Sequence, residues 1–219
     1  MVGEPMSARE AILARIREVA ARSADTADRD YGSIEKTYRR TSGLTPSESI
    51  DLFAARIEHY DGCVLRCTRT ELPATIAHAL SARGKTRVHV APDIDRTWLP
   101  RGIEFVSDER ASAIELDGSD GVITGCTVAI ALTGTIVLTH ARGEGRRALT
   151  LVPDYHLTVV FVDQIVETVP EGIHRAATSS PPLITTISGP SATADIEMTR
   201  IKGVHGPRTL DVILVTPDR

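Results

Sequence analysis

The sequence predicts an α/β domain, a mostly parallel sheet covered by helices, and three observations carry that prediction. Short β-branched runs alternate with segments of helical period through the first half of the chain, with Gly or Pro at most junctions. Aromatic residues make up only 4% against 42% hydrophobic residues overall, so the core has to be aliphatic, rich in valine and isoleucine strands. A length of 219 residues is enough for one sizeable α/β domain with a terminal arm, and enough to bury a real core.

Taken in order, Ser7-Ala8-Arg9-Glu10 has the form of a capping box, with Glu10 placed to reach back to the Ser7 amide. Ala11, Ile12, Ile16, Val19 and Ala20 recur at helical spacing to about Arg22. The stripe of this amphipathic helix suits either the parent domain or a partner. From Ser23 to Leu44 the pattern lapses into acidic, basic and small polar residues, which reads as a linker or arm ordered only where something docks it. Residues 1–45 are therefore expected to form a helix and arm, and residues 46–219 the α/β domain.

Thr45-Pro46-Ser47-Glu48 is a second capping box, with proline at the first helical position. Its helix carries Ile50, Phe53, Ala54 and Ile57 on one side and ends near Gly62. A strand over Cys63 to Thr68, a helix over Leu72 to Arg83 and a strand over Arg87 to Ala91 follow. A shorter helix around Ile94 to Leu99 and a strand at Ile103 to Val106 complete that half, with right-handed crossovers. Beyond it, Gly121 to Gly125 reads as a strand, Cys126 to Leu132 as an apolar run, and Ile136 to Leu138 as the run after Thr133-Gly134-Thr135. His140 to Arg147 is a polar loop, where Arg142, Arg146 and Arg147 either fork around an anion or face solvent. Leu149 to Pro153 and Leu157 to Val162 read as strands, and Gln164 to Ala177 as a helix. After a Ser/Pro spacer come strands at Leu183 to Ile187 and Thr209 to Val215.

Net charge is −4, which disfavours nucleic acid as a partner. No apolar run approaches the ~18 residues of a membrane span. Met1 to Arg15 lacks the apolar centre of a signal peptide, so a cytoplasmic protein is expected. Three cysteines make no disulfide framework and no iron–sulfur run, and no metal site is expected. Cys63 and Cys67 share one face of a predicted strand and read as packing residues.

The candidate site centres on Ser188-Gly189-Pro190-Ser191-Ala192-Thr193-Ala194-Asp195-Ile196-Glu197, where a β-branched strand runs into a loop rich in exposed amides and hydroxyls. Ser191 or Thr193 can cap a short helical turn whose free amides favour an anion. Two carboxylates follow, and Gly203-Val204-His205-Gly206-Pro207 adds an imidazole on a second tight loop. Thr133-Gly134-Thr135 offers amides plus two hydroxyls, as a phosphate cradle or as an ordinary turn. Thr133 to Thr135 and Ser188 to Ser191 are expected to meet over one sheet edge and hold a small anion between them.

These stretches, with Gly125, Ala131 to Thr135 and Leu151 to His156 in the same order, resemble the lactate-utilisation protein C family, whose unit is called the LUD domain. The resemblance covers roughly Val64 to the C-terminus. It implies a three-layer α/β fold with helices on both faces, similar to the glucosamine-phosphate deaminase, ribose-phosphate isomerase and CoA-transferase group. It also implies a part in oxidising L-lactate to pyruvate within a complex whose companion subunits carry iron–sulfur clusters, with no cofactor in this chain. One departure is Leu132, which stands where the family often has an acid before Thr-Gly-Thr. On that resemblance the base is expected to be Glu197 or His205. The substrate carboxylate is expected on Gly134, Thr135, Ser188, Gly189 and Ser191, with Gly125, Thr133, Thr193, Asp195 and Gly206 as further ligand-binding candidates. No dinucleotide fingerprint follows a predicted strand, so a partner has to supply the acceptor. Two other readings stay open: a stand-alone binder or enzyme for a phosphorylated small molecule or CoA ester, and a non-catalytic assembly subunit that docks through its N-terminal helix and arm.

Overall fold

The computed structural model describes residues 7–35, 37–39, 43–178, 183–193, 201–203 and 205–218. Asp195 and Glu197, both expected in the site, lie outside the described residues. The chain divides into two compact units, Met1–Tyr38 and Arg39–Arg219.

In the first unit, α1 (Ala8–Ser33) starts at the expected capping box, where the Glu10 amide donates to Ser7 Oγ at 3.3 Å and the Ser7 amide to Glu10 Oε2 at 2.9 Å. The helix continues past Arg22 to Ser33, which corrects the reading of Ser23 onward as an irregular arm. No glycine or proline stands between Ala8 and Tyr31. Once nucleated, a helical ladder adds one bond for each residue fixed, so it propagates where the apolar stripe has already lapsed.

The second unit opens with α2 (Pro46–His59), capped by the reciprocal Thr45 and Glu48 bonds of 3.3 and 2.8 Å. There follow β1 (Cys63–Thr68), α3 (Leu72–Ala82), β2 (Arg87–Val90), β3 (Glu104–Ser107), α4 (Ala113–Asp117), β4 (Gly121–Thr124), β5 (Val128–Ile130) and β6 (Thr135–Leu138). The chain continues through β7 (Tyr155–Phe161), β8 (Ile165–Val166), α5 (Val169–Thr178), β9 (Thr185–Ile187), β10 (Ala192–Thr193), β11 (Ile201–Lys202) and β12 (Thr209–Thr216).

Four local expectations are corrected. Ile94 to Leu99 holds only a 3-10 turn, Arg96–Trp98. Leu149 to Pro153 is not a strand, because a 3-10 turn, Arg147–Thr150, leads into irregular backbone there. Short apolar runs carry no period that separates these states. Gln164 to Ala177 splits into β8, which pairs with β5, and α5, whose start is set by Pro170 in its first turn. Ser191 caps no helical turn, because β10 pairs antiparallel with β11 directly after it, and the residues that Thr193 would cap lie outside the described residues.

The main sheet runs β1-β12-β7-β4-β2-β3, and each neighbouring pair is parallel. Alternation along the strands sorts its two faces. Leu157, Val159, Ile213, Val88 and Ile123 pack with Leu72, Ile76 and Leu80 of α3. On the other face, Val160, Leu210, Val212 and Leu214 pack with Phe53 and Ile57 of α2 and with Ala129, Ile136 and Leu138 of a smaller sheet, ordered β8-β5-β6-β9. The molecule is thus an α/β fold in which helices cover a mostly parallel sheet from both sides. Asp211 of β12, 2% exposed, receives Arg83 at 2.8 and 3.2 Å and the Tyr155 hydroxyl at 2.9 Å.

Cys67 and Cys126 are buried and Cys63 is half-buried, all as free thiols whose pKa burial pushes up. Among the described residues no helix is long and apolar enough to cross a membrane.

Candidate functional site

The second face of the main sheet carries polar residues on its central strands β4 and β7. In β7, a period of two puts His156 and Thr158 opposite Tyr155, Leu157 and Val159. His156 is 1% exposed, and its Nε2 lies 2.8 Å from Thr124 Oγ1 of β4 and 3.0 Å from Thr158 Oγ1. Its Nδ1 has no partner among the described residues. A buried polar atom left in that state costs about 1–3 kcal/mol. Burial also pushes the imidazole down to about 4, so the ring is neutral at pH 7.

His156 lines a cavity of about 230 Å³. Three loops close over it: Ser188 to Ser191 after β9, His205 to Pro207 before β12, and Arg147 with Thr150 from the 3-10 turn. β9 reaches this place because it pairs with β6, with Ile187 opposite Ile136. The cavity therefore lies between the edge of the smaller sheet and the amino ends of β7 and β12. Ligands of open α/β sheets more commonly bind at carboxyl ends.

The two loops singled out in the sequence do approach each other. Thr135 Oγ1 is 2.8 Å from Ser188 Oγ and 2.7 Å from Thr133 Oγ1. Yet only the Ser188 loop lines the cavity; Thr133, Gly134 and Thr135 do not. Gly134, at φ +59°, closes the β5–β6 turn against α2, where an added Cβ would meet Arg56 Cβ at 2.6 Å. Gly189, at φ +90°, presses in the same way on Tyr60 Cβ at 2.5 Å. These glycines allow close packing that a side chain would block.

Ser191 ties the cavity loops together. Its amide donates to Pro207 O at 2.8 Å, its carbonyl accepts from Gly203 N–H at 2.9 Å, and its Oγ accepts from the His205 amide at 3.1 Å. His205 is exposed at the cavity wall beside Gly206. Thr193 sits in β10, after the loop. Gly125 stands apart from the lining: its amide donates to Gly143 O at 2.9 Å, and Trp98 covers it at 3.5 Å from where a Cβ would be.

Of the loop arginines, Arg146 is committed to Asp108 through two bonds of 2.8 Å and to the Ala111 carbonyl. Arg147 is exposed at the cavity, and no carboxylate among the described residues pairs with it. It is the cation available to an anion there. The sequence reading missed His156 and Thr150 and did not separate Arg147 from its neighbours. One signal was present: His156 and Thr158 are polar residues two apart at the start of an aliphatic strand, hence on one buried face.

Comparison with known proteins bears on the whole chain. A lactate utilization protein C of Deinococcus radiodurans is 47% identical over 176 residues, spanning 78% of this chain and 82% of that protein. The lactate utilization protein C of Anoxybacillus flavithermus is 26% identical, spanning 80% and 83%. Among solved structures, a DUF162 family protein from Deinococcus radiodurans superposes with a TM-score of 0.68 at 40% identity, covering 78% of this chain and 99% of that one. The LUD domain profile matches residues 8–215, a longer span than the Val64 onward of the sequence resemblance because it takes in α1 and α2. With this match along nearly its whole length, the chain belongs to the LUD domain family.

Proposed function

We propose that this chain is the substrate-handling subunit of a cytoplasmic L-lactate-oxidising system for lactate utilisation, and that its cavity holds the substrate carboxylate. The observation that carries this reading is the cavity itself, which is lined both by a cationic Arg147 without a carboxylate partner among the described residues and by the Ser188 to Ser191 loop. The relatives named lactate utilization protein C, the Deinococcus protein foremost, support the substrate class.

In this reading the carboxylate lies on Arg147 and the Ser188 hydroxyl. His205 or Glu197 takes the proton of the C2 hydroxyl. Two electrons and the C2 hydrogen leave to an acceptor on iron–sulfur companion subunits, giving pyruvate. Electron transfer is the companions' part, and binding and deprotonation are this chain's.

Lactate-dependent dye reduction by the co-purified complex tests the reading. Activity should require this chain and fall at least tenfold with Arg147→Ala. Full activity of the companions alone would overturn it, as would turnover of a phosphorylated ligand or CoA ester by the isolated chain. Activity untouched by substitutions at Arg147, Glu197 and His205, but lost on deleting residues 1–44, would make the chain an assembly subunit.

A further inference from the structure

We propose that the exposed face of α1 pairs antiparallel with the α1 of a second copy of this chain, making the protein a dimer through its N-terminal unit. This dimer is independent of what the cavity binds.

A helix in water draws most of its stability from an apolar face packed on something else. The first unit, Met1–Tyr38, contains α1 alone among its described elements and so has nothing of its own to cover that face. Ile12, Ile16 and Val19 are 60%, 58% and 63% exposed, and Tyr31 is 65% exposed. Their spacing, with Ala20 and Ala27 between, sets them on one broad side of the helix. Branched aliphatic residues occupy the first half of that side, and alanines followed by Tyr31 the second. An antiparallel pair with its two-fold near Ala21 and Arg22 puts Ile16 opposite Ala27, large on small, and Ile12 opposite Tyr31 at each end.

Charge selects the same arrangement. Residues 8–22 carry Arg9, Arg15, Arg17 and Arg22 against Glu10 and Glu18, a net +2, whereas residues 23–33 carry Asp25, Asp28 and Asp30 against Arg29, a net −2. A lone helix gains from the reverse order, with acids toward its start and bases toward its end. A parallel pair would lay like charge on like. An antiparallel pair lays each basic half along the other copy's acidic half, as flanking charges do in paired helices. A second copy is the partner that supplies both complements at once, because each half of α1 is the complement of the other half in charge and in size.

Sedimentation equilibrium of the full chain at micromolar concentration should return twice the 23.6 kDa of one chain. Ile16→Glu should weaken association about a hundredfold, because two-fold symmetry places the new charge in the interface twice. Two double variants test the charge order: Arg15→Glu with Arg17→Glu, and Asp25→Arg with Asp28→Arg. Each alone should sediment as a monomer, since both halves of its α1 then carry one net sign. Mixed in equal amounts, the two should restore the dimer, a rescue that a misfolded variant could not give. A monomeric unaltered chain would overturn the proposal. Ile16→Glu would then say what covers the face: a lowered thermal midpoint gives it to the chain's own domain, and loss of a companion from the co-purified complex gives it to that subunit. A dimer that survives Ile16→Glu, or double variants that stay apart on mixing, would also overturn it.

Discussion

Arg146 and Arg147 are neighbours in the chain with unrelated duties, one locked to Asp108 and the other turned to the cavity. Because Arg147 is exposed, Arg147→Ala should leave the thermal midpoint nearly unchanged. It should weaken carboxylate binding by about tenfold to a hundredfold, the loss of a charge-assisted bond of about 1.5–3 kcal/mol; calorimetry on the full chain measures it. Gly134 and Gly189 behave in the opposite way. Alanine at either meets backbone at positive φ and a neighbouring Cβ at 2.6 or 2.5 Å, so each substitution should cost about 1–3 kcal/mol in urea unfolding. Residue type made both glycines visible in the sequence, but as ligand cradles. Only their packing on α2 and Tyr60 shows that their first duty is close approach.

Elements with local signatures were legible where the signature is local chemistry. The Ser7 and Thr45 capping boxes form as read, and Thr45→Ala should lower stability by about 1 kcal/mol in a denaturant melt. The strands and helices with clear periods, β1, α3, β2 and β12, lie within a residue of expectation. Elements set by distant partners were not legible. β8 exists because β5 offers it an edge, and β10 because β11 returns beside it across residues 194–200. The same applies to Asp211 on β12, whose partners come from α3 and β7. Arg83→Ala should leave that carboxylate buried with only the Tyr155 hydroxyl, at a cost of about 2 kcal/mol; Tyr155→Phe should cost about 1 kcal/mol. A smaller loss for Arg83→Ala than for Tyr155→Phe would reverse that ranking.

The two buried imidazoles give the whole molecule an acid limit. Burial pushes His156 down to about 4 from an ordinary 6.5, and His89 moves in the same direction for the same reason. The unfolded chain then takes up these protons at higher pH than the folded one. Stability from His156 is fully present above about 6.5 and is lost as pH falls from there toward 4, by as much as about 3 kcal/mol. Unfolding free energy measured against pH should show that slope, and His156→Phe should flatten it. By itself the sequence determined the α/β class and the capped helices, because caps, periods and turn residues act over a few positions. The tertiary structure decided that the floor of the cavity is His156, that Arg147 and not Arg146 faces it, and that Gly125 stands outside it. Those outcomes depend on which strands lie side by side, and a parallel sheet sets its neighbours through contacts between residues far apart in the chain.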